Sequence, residues 1–147
     1  EQKIVYLNLD YIFQNSVSGK LILEGLDNKR KKNIEKFKLQ ENELRSKEQD
    51  LINKKNILSK EEFESKVVKL KQEMKNYNEF KKKIFNQFED NKKKELNEFL
   101  GKITPIIENF VKENSINIVL NEKNLFIASK KFDITNEIIE IIDKTIK

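Results

Sequence analysis

Cysteine and histidine are absent from the 147 residues of this chain. Their absence excludes thiol nucleophiles, disulfides, zinc sites built from the usual ligands and imidazole acid–base work. Only three glycines are present, which leaves little from which to build a phosphate-cradling loop. Arginine is scarce as well: Arg30 and Arg45 are two of 30 basic residues. Base-edge readout favours arginine forks, so specific nucleic-acid recognition is not expected. No run of about 18 apolar residues occurs, so no segment reads as a membrane-spanning helix. Carboxylates are plentiful but fall in helical charge patterns, with no paired carboxylates in an apolar setting and no nucleophile elbow. The sequence reads as a non-enzyme that needs no metal or cofactor.

What is present is unevenly spread. Apolar and charged residues each make up 37 % of the chain. Residues 29–102 hold 21 apolar residues in 74 positions, and the other 73 positions hold 33. The same middle stretch carries 22 Lys/Arg against 14 Asp/Glu, net +8, while the remainder carries 8 against 11, net −3. A polar, basic middle is thus set between two richer ends that must fold together to make one core. Such a surface draws acidic partners from a distance, whether protein, nucleic acid or anionic lipid. The plain alternative is a solvated helical surface.

Along the chain, "KIVYLNL" (3–9) reads as a strand apolar on both faces. Val5, Leu7 and Leu9 point one way and Ile4 and Tyr6 the other. Asp10 is placed to cap a short helical turn, "YIFQN". Ser18 and Gly19 then open a long helix expected to run to about Ile57. Phe37, Leu44, Leu51 and Leu58 recur every seven residues in it, with Ile34, Glu41, Glu48 and Lys55 at the companion positions. This is a thin coiled-coil stripe.

Ser59 with Glu62 three residues on forms a capping box that starts a second helix. Its stripe runs through Phe63, Val67, Leu70, Met74, Tyr77, Ile84 and Phe88, with Lys81 in the one gap. Placing Leu51 opposite Val67 brings Leu44 opposite Met74 and Ile34 opposite Ile84. The two stripes therefore close as an antiparallel hairpin with its turn near 58–60, an arm of roughly 45–60 Å. Beyond Phe88 the stripe shifts to Leu96, Phe99, Ile103, Ile107 and Phe110, a four-residue stutter. Pro105 is expected to kink the helix there, or to restart it with Thr104 as cap.

The tail alternates as "INIVL" (116–120), with Ile116, Ile118 and Leu120 on one face. A turn at "NEKN" and a second strand "LFIAS" (125–129) would complete a hairpin. "DITNEIIEIIDKTI" closes as a helix capped near Asp133 or Thr135, with Ile138, Ile139, Ile142 and Ile146 on one face. The fold class is α+β, a helical arm (29–102) on a small β-rich base (1–28 and 103–147). A base of about three strands has exposed edges that invite pairing with another chain. Val5, Leu7, Ile118, Leu120 and Ile127 are the expected shared core.

The opening "KIVYLNLDYIFQNS", the lysine-rich antiparallel hairpin and the ending "INIVLNEKNLFIASKKFDIT" with its short helix resemble the Skp/OmpH family of periplasmic chaperones over nearly the whole chain. The resemblance implies a homotrimer with an intersubunit β-barrel and flexible arms. It implies that unfolded outer-membrane β-barrel proteins are held between those arms without nucleotide, and that a signal peptide is cleaved on export to the periplasm. From the sequence alone, a chain opening on "EQKIVYLNLD" is either cytosolic or already processed. The sequence departs from the family in Pro105 and in its lysine-heavy, arginine-poor arm.

The residues agree with such a role. Leu39, Val68, Phe80 and Phe85 stand beside the seam as candidate contacts for unfolded chains, and Lys81, Lys82 and Lys83 as a candidate basic patch. A basic surface also admits an anionic membrane surface, and the resemblance adds lipopolysaccharide as a further partner, with no residues assigned to it. Two other readings carry different functions. Prefoldin-like chaperones also bear coiled-coil arms, but place their strands in the middle of the chain and helices at its ends, the reverse of this order. A structural coiled-coil adaptor would bind one specific folded partner rather than many unfolded ones.

Overall fold

The computed structural model describes all residues, 1–147. The elements are β1 (Ile4–Leu7), α1 (Leu9–Asn15), α2 (Val17–Asn53), α3 (Lys60–Glu113), β2 (Ile118–Asn121) and α4 (Thr135–Thr145), with two short 3-10 turns between β2 and α4. The chain divides into two compact units, residues 1–27 with 92–147 and residues 28–91. Residues 92–102, counted with the arm in the sequence reading, fall in the first unit, where Phe99 is buried in the core.

The first unit is built around two strands that pair in parallel, Ile4 opposite Ile118 through Leu7 opposite Asn121. Alternation sends Val5, Leu7 and Val119 to one face of this sheet. There they join Ile12, Phe99, Ile103, Ile138 and Ile142 in one apolar core. Phe13 packs on Phe99 with ring centroids 4.4 Å apart. The i, i+4 spacing of Ile138 and Ile142 aims both at the core, as the amphipathic tail predicts. Ile4, Ile118 and Leu120 share the other face and are exposed.

Several expectations are corrected here. The cap of α1 is Asn8, whose Oδ1 accepts the Tyr11 N–H at 2.9 Å, and Asp10 lies in the first turn. The cap of α2 is the buried Ser16, whose Oγ accepts the Gly19 N–H at 3.1 Å, so the helix opens at Val17 rather than at Ser18. A Cβ at Gly19 would come within 2.2 Å of the Phe13 carbonyl oxygen, which ties this glycine to the close α1–α2 junction. α2 ends at Asn53, not near Ile57, because residues 54–57 turn through bonds such as Ile57 N–H to the Lys54 carbonyl. α3 runs unbroken through Pro105. Thr104 does not restart it; its hydroxyl donates back to the Leu100 carbonyl at 2.6 Å.

The largest difference is in the tail. Ile116 precedes β2 and is buried in the core, whereas Ile118 and Leu120 lie on the open sheet face. Residues 125–129 form no strand. The reason is topological. The Lys3 carbonyl accepts from Asn117, so it faces β2, and carbonyls alternate along a strand. The Tyr6 carbonyl, three residues on, faces the opposite edge, where it accepts the Ile134 N–H at 2.9 Å. The chain must therefore cross the open face of the sheet between Asn121 and Ile134, and a crossing segment cannot ladder with either strand.

Candidate functional site

In the second unit, α2 and α3 pack through the predicted stripe. Leu51 is buried, and Phe37, Leu44, Val67, Tyr77 and Ile84 are half-buried. Met74 and Ile34, expected in the same stripe, do not share that burial and are 42 % and 40 % exposed. The turn keeps half of the expected capping box, since the Glu62 N–H donates to Ser59 Oγ at 3.2 Å.

The seam is thin because polar groups replace apolar ones in two layers. In the first, Tyr77 donates its hydroxyl proton to Glu41 Oε1 at 2.5 Å, and Lys81 Nζ lies 3.3 Å from the same oxygen. Burial and the bond to Glu41 push the Tyr77 hydroxyl up to about 12. The Tyr77 hydrogen bond, followed by that of Lys81, holds the Glu41 carboxyl below its ordinary value. Lys81 also stands over the Phe37 ring, 5.6 Å from its centroid. In the second layer Lys47 meets Glu73 at 2.9 Å, which raises the Lys47 ammonium and lowers the Glu73 carboxyl. The charges are swapped between layers: acid on α2 and base on α3 in one, the reverse in the other. Sliding the helices would set like charges against each other, so the layers fix the register. Glu41 and Lys81 are legible in the sequence as two breaks of opposite charge in two stripes; the Tyr77 hydroxyl as their link is not.

The candidate contact residues part company. Leu39, Val68 and Phe85 are well exposed, whereas Phe80 is half-buried. Lys82 and Lys83 are exposed on α3; Lys81 is exposed as well but tied to Glu41. Of the residues expected at a shared core, Val5 and Leu7 are buried within this chain's own core. Ile118 and Leu120 lie on the open sheet face, and Ile127 is exposed on the crossing segment. That segment roofs a groove of about 530 Å³ over Ile4, Tyr6 and Leu120, lined also by Leu125, Ile127 and Phe132. Its neighbour Phe126 is 98 % exposed. The sequence reading placed Phe126 within a strand and so gave it no role.

No helix is long and apolar enough to cross a membrane. Nor are three or more carboxylates gathered as a metal-holding group. The comparison with known families is decisive for the class of protein: residues 3–142 match the model of the OmpH-like outer membrane proteins. The chain belongs to the OmpH-like family. Its fold matches the crystal structure of an OmpH-like outer membrane chaperone from Caulobacter crescentus CB15, with a TM-score of 0.89. The match covers 100 % of this chain and 87 % of that one at 15 % identity. No protein of curated function matches the sequence significantly. The surfaces on view are a basic helical hairpin with exposed apolar side chains and an open apolar sheet face.

Proposed function

We propose that the protein is a nucleotide-independent holdase chaperone of the periplasm that keeps unfolded outer-membrane β-barrel proteins from aggregating. The observation that carries this reading is the family match across residues 3–142. The physical chemistry of the hairpin supports it. A seam of half-buried side chains and polar layers leaves apolar groups such as Phe85 in water beside lysines. Such a surface holds many unfolded sequences weakly, whereas a specific folded partner is bound through a packed, desolvated centre. Unfolded barrel strands supply alternating apolar residues and acidic charge. Long-range attraction brings them in and apolar contact retains them.

The proposed assembly is a homotrimer joined through the first unit. Ile4, Ile118 and Leu120 form an open apolar sheet face, β2 has an edge with no strand against it, and "LFIAS" is β-prone but unpaired. A second copy can satisfy all three. Native mass spectrometry at micromolar concentration is expected to give the trimer, and a stable monomer would remove this assembly.

The holdase test is an aggregation assay with an unfolded outer-membrane barrel protein, with and without this chain. Suppressed light scattering without nucleotide is expected; unchanged aggregation would sink the proposal. Capture should also depend on salt. The screening length falls from about 10 Å at 0.1 M to about 3 Å at 1 M, so the association rate should drop steeply. Reversing Lys82 and Lys83 to glutamate should slow it at low salt, with Lys81 left in place because it is tied to Glu41. Stopped-flow fluorescence with a labelled barrel protein reads both effects.

A further inference from the structure

The charge of the hairpin unit is confined to one half. Residues 28–38 and 81–91 carry nine Lys/Arg against three Asp/Glu, while residues 39–80 carry nine of each. All of the unit's net +6 therefore lies in the half where α2 residues 28–38 face α3 residues 81–91.

Within and beside that half, the exposed apolar side chains do not share one face. At about 100° per residue, Leu39 on α2 and Val68 on α3 fall on the backs of their helices, away from the seam. Ile34 and Phe85 fall beside the seam, on the same flank. Met74, Tyr77 and Asn78 line that flank on α3, opposite Glu41, Leu44 and Arg45 on α2. Ile34, Met74 and Phe85 are 40 %, 42 % and 60 % exposed. Lys38, on the same flank of α2, rims the same furrow, whereas Lys82, two heptads from Val68, shares its outer face. Its carboxylate Glu41 is already engaged by Tyr77 and Lys81, and Glu48 bounds the far end.

We infer that this furrow, carrying Ile34, Lys38, Arg45, Met74 and Phe85, is a docking groove for extended acidic polypeptide segments with spaced apolar side chains. The inference takes its biological partner from the holdase reading. Three apolar contacts lie along the furrow, with Phe85 and Met74 about 16 Å apart at the helical rise. An extended chain spans that distance in about five residues, so one short segment can place apolar side chains at both ends and acidic ones against Lys38 and Arg45. Arg45 is the one guanidinium among these five residues, so the furrow has little of the bidentate equipment that phosphate or base recognition uses.

The test uses the full chain and fluorescence anisotropy. The probe is a labelled peptide of about 14 residues alternating leucine or tyrosine with aspartate or threonine, a length that overspans the furrow. A counterpart carries lysine for aspartate. The acidic peptide is expected to bind and the basic one not. Phe85→Ser should weaken binding by about fivefold or more, and the pair Lys38→Glu with Arg45→Glu should abolish the preference for the acidic peptide. Val68→Ser is the control, a side chain as exposed as Phe85 but on the outer face, and should change binding by less than about twofold. All four positions are exposed, and circular dichroism confirms that the variants keep their helices.

Equal losses for Phe85→Ser and Val68→Ser would overturn the inference, as would absent binding of the acidic peptide. Tighter Phe85-dependent binding of single-stranded DNA or of phosphatidylglycerol vesicles would overturn it as well. The holdase reading is scored separately on the wild-type chain. Failure to keep an unfolded barrel protein in solution, with peptide binding intact, removes that reading and leaves the furrow. Full holdase activity in Phe85→Ser, with peptide binding unchanged, leaves the holdase and removes the furrow.

Discussion

The two units are held together by different physics. In residues 1–27 with 92–147, Ile12, Phe99, Ile103, Ile138 and Ile142 are sealed from water by contacts between segments more than a hundred residues apart in sequence. In residues 28–91, Leu51 is the single buried apolar residue, and the remaining seam positions are half-buried or, like Met74, open. The first unit is cooperative, because each side chain touches several elements at once. The second is a stack of layers, each contacting its neighbours along the stack, so a damaged layer leaves distant ones standing. The proposed holdase role fits the second arrangement, since its apolar groups are not consumed by its own core.

The largest expected effect tests the cooperative half. Ile138→Ala removes a fully buried side chain from the centre of the core and should cost about 2–5 kcal/mol. That is a large part of the roughly 5–15 kcal/mol that stabilises a typical domain. Hydrogen exchange read by mass spectrometry should show protection lost throughout β1, α1, β2 and α4 together. Loss confined to α4 would break the comparison.

Leu51→Asp is the matching change in the hairpin. A carboxylate at its one buried position should cost roughly 2–4 kcal/mol locally. Exchange should rise around residues 44–74 while the first unit and the oligomeric state remain as in the wild type. A variant that loses its oligomeric state would show that the layers are not independent.

How much of this was legible in the sequence follows the same division. The hairpin register could be read because Phe37, Leu44 and Leu51 repeat every seven residues and local periodicity dictates the contact. The helical stripe of Ile138 and Ile142 was legible for the same reason. The parallel pairing of β1 with β2 was not, because nothing local to "IVYL" or "IVLN" names a partner 114 residues away. The strand assigned to "LFIAS" rested on real β-propensity. It failed because propensity does not know that residues 122–133 must cross from one edge of the sheet to the other. Offset from the seam picks out Leu39, Val68 and Phe85, which are exposed, but it does not say which of them flanks the seam and which lies on the back of its helix. Phe80 shows the limit of that offset, being drawn into half-burial.

A smaller effect probes the polar layer in the hairpin. Tyr77→Phe keeps the ring but withdraws the proton donated to Glu41, and should loosen the hairpin less than Leu51→Asp does. Its pH dependence has a defined sign. Glu41 is held below its ordinary value of 4.5, so its contribution is present above that value and is lost as pH falls through the lowered one. Tyr77 is pushed up from 10.0 to about 12, so its contribution is complete below pH 10 and is lost as pH rises toward about 12. Exchange at residues 37–45 should therefore differ between wild type and variant at neutral pH and converge in acid. A difference that persists unchanged once Glu41 is protonated in acid would assign the effect to ring packing.

The smallest effect sharpens the comparison by strengthening the first unit alone. α3 ends in a Schellman motif. The Ile116 N–H donates to the Val111 carbonyl at 3.0 Å and the Ser115 N–H to that of Lys112 at 3.4 Å. The motif demands a left-handed residue at its centre, and Ser115 has φ of 50°. Glycine is the usual occupant because a Cβ is strained there. The strain of a non-glycine residue is about 1–2 kcal/mol, offset in part by the greater freedom that glycine loses on folding. Ser115→Gly should therefore stabilise by roughly 0.5–1 kcal/mol and raise the melting temperature of the first unit by about 2–6 °C. The motif also delivers Ile116 into the core at the start of the connection to β2, so the gain belongs to the cooperative unit. Hydrogen exchange should slow across β1 and β2 and stay unchanged at residues 44–74. Equal slowing in the hairpin would mean that the two units melt as one, and the contrast between a sealed core and independent layers would fall with it.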